Sequence, residues 1–126
     1  MGLMFNGKIL RMSQSTRQGI AEAENNLGIM YDTGHGVPQN YAKAAHWYRL
    51  AAHQGFATAE NNLGALYQGA PGVPKNYLKA YFWFDLAAAN GDTTSATNRD
   101  NLARFMTPAE IAEAQNRASR YASKYK

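Results

Sequence analysis

The chain has 126 residues, 45% apolar and 17% charged, with a formal charge of +4 and no cysteine. That is one domain's length with enough apolar material for a core. It excludes a disordered chain, a disulfide framework, a thiolate nucleophile and a Cys-type zinc site. No apolar run approaches the ~20 residues of a membrane span, and the basic excess sits at the two ends of the chain, which argues against a nucleic-acid partner.

The hexapeptide AENNLG occurs at Ala23–Gly28 and again at Ala59–Gly64, an offset of 36 residues. Sliding residues 21–55 onto 57–91 makes more than half of the positions identical without a gap. A period of this size marks a repeat architecture, in which one unit cannot bury its own apolar face and neighbouring copies stack.

In chain order, residues 1–20 precede the first full copy. The opening MGLMFNGKIL has neither an apolar h-region nor a small-residue cleavage site, so no secretory leader is read. This makes the chain cytoplasmic as written, or exported if a leader has been removed. Gln18-Gly19 aligns with Gln54-Gly55, so 1–20 is expected to be a degenerate N-terminal helix with Phe5, Ile9 and Met12 as an apolar stripe. That stripe is either a makeshift cap or an open stacking surface, and the second is favoured: a homodimer, or a longer array, joined at this end.

Residues 21–56 read as helix, turn, helix. Ala23, Leu27, Met30 and Tyr31 share one helical face. Gly28 in mid-helix costs roughly 1 kcal/mol relative to alanine, which calls for a packing reason, the close approach of another helix backbone. Thr33–Pro38 cannot continue a helix, because its glycines permit positive φ and Pro38 holds Val37 extended. Asn40 is a suitable N-cap; Ala44, Trp47, Tyr48, Ala51 and Ala52 form the stripe of the second helix, and Gly55 stops it. Residues 57–92 repeat this plan with Leu63, Gly64, Tyr67, Gly72-Val73-Pro74, Asn76, Trp83 and Gly91. Both tryptophans are expected in the core.

Residues 93–126 form a degenerate third copy and C-terminal cap. Asn98 keeps register with Asn62, but Arg99, Asp100, Ala103 and Ser119 replace the leucine, glycine, tyrosine and tryptophan. Thr107-Pro108 with Glu110 predicts a capping box. The helix after it has Ile111, Ala114, Ala118, Tyr121, Ala122 and Tyr125 on one face, and Glu113, Asn116, Arg117, Arg120 and Lys124 on the other.

The pattern Ala-x-Ala-x-x-x-Leu-Gly-x-x-Tyr, then Gly-Val, Lys-Ala-x-x-Trp-Tyr, Ala-Ala and Gly, resembles the Sel1-like repeat, a relative of the tetratricopeptide repeat. Ala21–Gly55 follows it nearly throughout, and Ala57–Gly91 follows it with Phe84 and Ala70 as departures. The resemblance implies an all-α, right-handed α–α superhelix: two complete 36-residue repeats between degenerate capping helices, the first helix of each pair lining a concave face. It also implies a scaffold for protein or peptide partners rather than an enzyme.

Candidate contacts on that face are Glu22, Asn25, Asn26, Ile29, Asp32, Thr58, Asn61, Asn62, Ala65, Gln68 and Asn98. The duplicated asparagines could bond neighbouring repeats to one another, or meet the backbone of an extended peptide, as an amide both donates and accepts. In related tetratricopeptide domains the asparagine before Leu-Gly, the place of Asn26 and Asn62, contacts bound peptide. Positions that differ between copies, Glu22/Thr58, Ile29/Ala65 and Asp32/Gln68, are candidates for specificity. His46 and His53 are two helical turns apart, roughly 10 Å, too far to share an ion. His35 has no fixed partner. No catalytic set and no metal or cofactor site is read.

Overall fold

The computed structural model describes residues 2–5, 8–11 and 13–124, with side chains for 13–124. Strands β1 (Gly2–Phe5) and β2 (Lys8–Arg11) pair antiparallel, Phe5 opposite Lys8. Six helices follow: α1 (Gln14–Thr33), α2 (Tyr41–Ala52), α3 (Ala57–Leu66), α4 (Tyr77–Ala89), α5 (Thr93–Ala103) and α6 (Pro108–Lys124). Each helix packs on the next from α1 to α5, and α6 lies against α4.

The expectation of a helix over 1–20 is corrected. Gly2–Phe5 and Lys8–Arg11 are strands, so Phe5 and Ile9 do not share a helical stripe, and Met12 lies outside the described residues. In the sequence Asn6-Gly7 separates them, and Asn-Gly is the pair most favoured in a two-residue hairpin loop. Ser13 then accepts a bond from the Thr16 backbone N–H and starts α1, which runs unbroken through Gly19. Gly19 is therefore no counterpart of Gly55, which takes φ of 76° to end the turn after α2.

Local signals elsewhere hold as expected. Asn40 and Asn76 each accept from the backbone N–H three residues on, at 3.0 Å, and cap α2 and α4. In each copy the cap residue's own N–H returns to the tyrosine carbonyl that ends the first helix, at 2.8 Å (Asn40 to Tyr31, Asn76 to Tyr67). Thr107 and Glu110 exchange both bonds of a capping box before α6. Ala114 and Ala118 are buried on the inner face of α6, while Arg117, Arg120 and Lys124 are exposed on the other.

Gly28 and Gly64 do have a packing reason, but a ring of the second helix, not its backbone, comes closest. A Cβ on Gly28 would lie 2.4 Å from the Tyr48 ring; on Gly64 it would lie 2.8 Å from the Phe84 ring and 3.2 Å from the Ala80 carbonyl oxygen. Each glycine thus lets the aromatic ring of its own second helix lie flat against the first. Gly64→Ala gains helix propensity of about 1 kcal/mol but, meeting both a ring and a carbonyl oxygen, overpacks by about 2–3 kcal/mol, the upper part of the usual range. We expect a net loss of about 1–2 kcal/mol by chemical denaturation; a variant as stable as the parent would mean the contact is slack.

The first-helix stripe is real, but its burial depends on position in the stack. Ala59, Leu63, Leu66 and Tyr67 of α3 are buried beneath α2, whereas Leu27, Met30 and Tyr31 are only half-buried and Ala23 is exposed. Among the described residues, no helix precedes α1 to cover them. The tryptophans divide in the same way. Trp83 is buried among His53, Phe82 and Tyr121, while Trp47, expected in the core, is half-buried with its ring edge-on to His46.

Candidate functional site

The first helices α1, α3 and α5 are joined by a ladder of side-chain amides. Asn62 donates through Nδ2 to Asn25 Oδ1 at 3.2 Å, and one repeat further Asn98 donates to Asn61 Oδ1 at 3.0 Å. Asn61 also accepts from the hydroxyl of Ser95 at 2.8 Å, and Ser95 is fully buried. So the first asparagine of each pair, Asn25 and Asn61, accepts from the following copy, and Asn62 and Asn98, one period apart, donate to the preceding one. This satisfies polar groups that stacking takes away from water.

The ladder divides the expected contact residues. Asn25 is only 3% exposed and does not reach the open surface, which corrects its place among the contacts. Asn61, Asn62 and Asn98 are half-buried with their amides committed to the ladder. Asp32 is half-buried and accepts from the Tyr48 hydroxyl at 2.8 Å. Burial and that bond both raise the Tyr48 phenol's pKa. In the second copy both partners change together, to Gln68 and Phe84. The Asp32/Gln68 difference is thus accounted for by a bond inside the repeat, a coupling visible in the sequence only when the two differences are read as a pair. Glu22, Asn26, Ile29, Thr58, Ala65 and Gln68 remain exposed on the first helices, Ile29 at 38%.

Two carboxyl groups brace the other end of each repeat. Gln54 donates to Glu24 at 2.6 Å, and Asn90 donates to Glu60 at 2.9 Å. Burial raises both carboxyl pKa values against the opposing effect of these amide bonds, Glu60 to about 7. His53, lowered by burial and by the charge of Arg49, meets the Tyr121 hydroxyl at 2.8 Å. These bonds tie helix ends together: Glu60, Asn90, His53 and Tyr121 border one cavity of about 970 Å³. Among the described residues, no cluster of three or more His, Cys, Asp or Glu could hold a metal, and no helix is long and apolar enough to cross a membrane.

Stacked helix hairpins joined by a recurrent amide ladder, with an open first-helix surface, define an α–α solenoid. The Sel1 repeat family model matches residues 21–56 and 57–92, more than half of the chain, and the chain belongs to that family. Family members of this fold commonly act as protein-interaction scaffolds. Among solved structures, the chain is similar to a protective antigen of uropathogenic Escherichia coli displaying the Sel1-like repeat fold. They share 32% identity with a TM-score of 0.80, over 88% of this chain and 24% of that one. It is also similar to a Sel1 repeat protein of Oxalobacter formigenes, with 34% identity and a TM-score of 0.64, over 88% of this chain and 45% of that one. The chain therefore spans less than half the length of either. A search of curated proteins found no significant match.

Proposed function

We propose that the chain is an adaptor that binds a peptide or protein partner on the surface of α1, α3 and α5. The observation that carries this is where the copies differ. Most buried positions recur, with Met30/Leu66, Ala45/Tyr81 and Tyr48/Phe84 as exceptions that stay apolar or aromatic, whereas the exposed pairs Glu22/Thr58 and Ile29/Ala65 change in character, although the scaffold is the same in both. Exposed positions free of packing duty are where a solenoid can vary its ligand without losing its fold. Exposed Asn26 adds an amide able to donate and accept, since among the described residues it has no hydrogen-bond partner.

A peptide selected from a random library on the immobilised protein should bind with a dissociation constant on the order of micromolar. It should weaken about tenfold on Ile29→Asp, which places a charge in the middle of the surface. Unchanged affinity in a folded Ile29→Asp protein would remove the first-helix surface from the reading. The alternative, self-association at the α1 end, draws support from exposed Ile20 and Ile29 and from the unfilled Asn26 rung. Sedimentation velocity separates the two, since only self-association gives a dimer whose population rises with concentration.

A further inference from the structure

A second feature lies on the side of the second helices. A cleft of about 320 Å³ lies between α2 and the loop leading into α4. Ala42, Ala45, Val73 and Pro74 give it apolar walls, and Arg49, Lys75 and Lys79 bring three cations to it. No acidic side chain lines it. It shares no residue with the first-helix surface, so it stands apart from the adaptor reading.

The repeat supplies its own control for what is special here. Moving each lining residue on by one period, from α2 to α4, turns Ala42 into Leu78, Ala45 into Tyr81 and Arg49 into Asp85. Asp85 is neutralised by Arg99 at 2.9 Å. Moving Lys75 back one period gives Gln39. At the interface between the first two copies, therefore, two bulky residues are replaced by alanines and a paired acid by an arginine. A neutral amide becomes a lysine as well. Lys79 belongs to the framework: it lies over the Tyr67 ring at 5.5 Å as Lys43 lies over Tyr31 at 5.6 Å. Arg49 and Lys75 are the additions; Lys75 too lies over a ring, its Nζ 4.8 Å from the Tyr77 centroid, a contact that leaves its charge without an acidic partner.

Gathering like charges without an internal counter-charge is unfavourable unless an anion completes the site. Arg49 uses Nη2 to donate to the Tyr67 hydroxyl at 3.1 Å, which steadies the guanidinium. A guanidinium has five N–H donors in a planar fork, so it retains enough to take a carboxylate by two parallel bonds. The Lys79 backbone N–H at the start of α4 is already taken by Asn76, so an anion would be held by side chains. The apolar walls suit the methylene stem of a glutamate, and the volume is at the small end for a ligand site.

We propose that this cleft binds a carboxylate side chain of an acidic peptide, with Arg49 as the fork and Lys75 as the second charge. The test is fluorescence anisotropy with a labelled hexaglutamate peptide at physiological salt. Saturable binding is expected, weakened about tenfold or more by Arg49→Gln/Lys75→Gln, as for lost bonds between charged groups. Ala42→Leu, which fills the cleft as Leu78 does and leaves the charge unchanged, should weaken it as well. Lys75→Gln alone places at an exposed position the residue of the first copy, so folding is secure and a partial loss is expected. The charge-matched Arg104→Gln/Arg120→Gln should bind like the parent. Equal loss in that control, undiminished binding to Ala42→Leu, or displacement by inorganic phosphate at lower concentration than by free glutamate, would each overturn the assignment.

Discussion

Trp83→Ala is expected to lower the unfolding free energy by about 3–5 kcal/mol, the range for removing a buried tryptophan from a packed core. The indole is 7% exposed and is surrounded from three helices: His53 caps α2 at a centroid separation of 5.8 Å, Phe82 is its neighbour on α4 at 4.9 Å, and Tyr121 comes from α6 at 5.7 Å. All three contacts are edge-on, the geometry that aromatic pairs prefer. Loss of the ring would loosen α6 as well as α4, because Tyr121 would lose its edge-on contact with the indole. Trp47→Ala removes the equivalent side chain where no α6 covers it, and about 1–2 kcal/mol is expected for half the burial. Urea denaturation followed by circular dichroism measures both without relying on tryptophan emission. Equal losses would show that the α6 contact adds nothing.

The second large effect is a pH dependence set by Glu60. Its carboxyl is 1% exposed and receives one amide hydrogen bond from Asn90, too little to offset its desolvation, so burial pushes its pKa from 4.5 up to about 7. A carboxyl that ionises later in the folded than in the unfolded chain holds its proton better when folded. Stability from this group is therefore complete below pH 4.5, falls as pH rises toward 7, and is flat above that. The span is about 2–3 kcal/mol, from the size of the shift with some allowance for solvent screening. Glu60→Gln keeps an oxygen that can accept from Asn90 and has no proton to lose. The variant should lack this slope and be more stable than the parent above pH 7. Subtracting the two profiles cancels other titrating groups, Glu24 among them. A difference that stays constant from pH 4 to 8 would show that Glu60 ionises as an ordinary surface carboxylate.

Both predictions sharpen what the adaptor proposal requires. The surface offered to a partner is rigid only while the hairpins stay stacked, and stacking rests on the aromatic cluster around Trp83 and on the bonds across neighbouring helices. A groove substitution that also breaks the ladder, such as Asn62→Ala, would mix affinity with stability. Ile29→Asp avoids this because Ile29 makes no ladder contact and is already partly in water.

Local chemistry made much of this protein legible as a bare sequence. A side chain that bonds its own backbone three residues away needs no partner from elsewhere, so Asn40, Asn76 and the Thr107–Glu110 box could be read with their structural roles. The 36-residue period likewise announced stacked helix pairs, because each copy must present the same face to its neighbour. The pairing of Gly2–Phe5 with Lys8–Arg11 also has a local signal, the Asn6-Gly7 pair that separates them in the sequence, which the helical alignment of Gln18-Gly19 leaves out of account. Other features depend on which residues from distant helices come to lie together, and only the tertiary structure decided them. Asn25 and Asn26 look interchangeable in AENNLG, yet one is buried by the next copy and the other is exposed. Trp47 and Trp83 occupy identical positions in their repeats and differ because α6 covers one of them. The period specifies each copy's contacts equally, but the helices packed against each copy differ, and burial is a property of neighbours rather than of the residue.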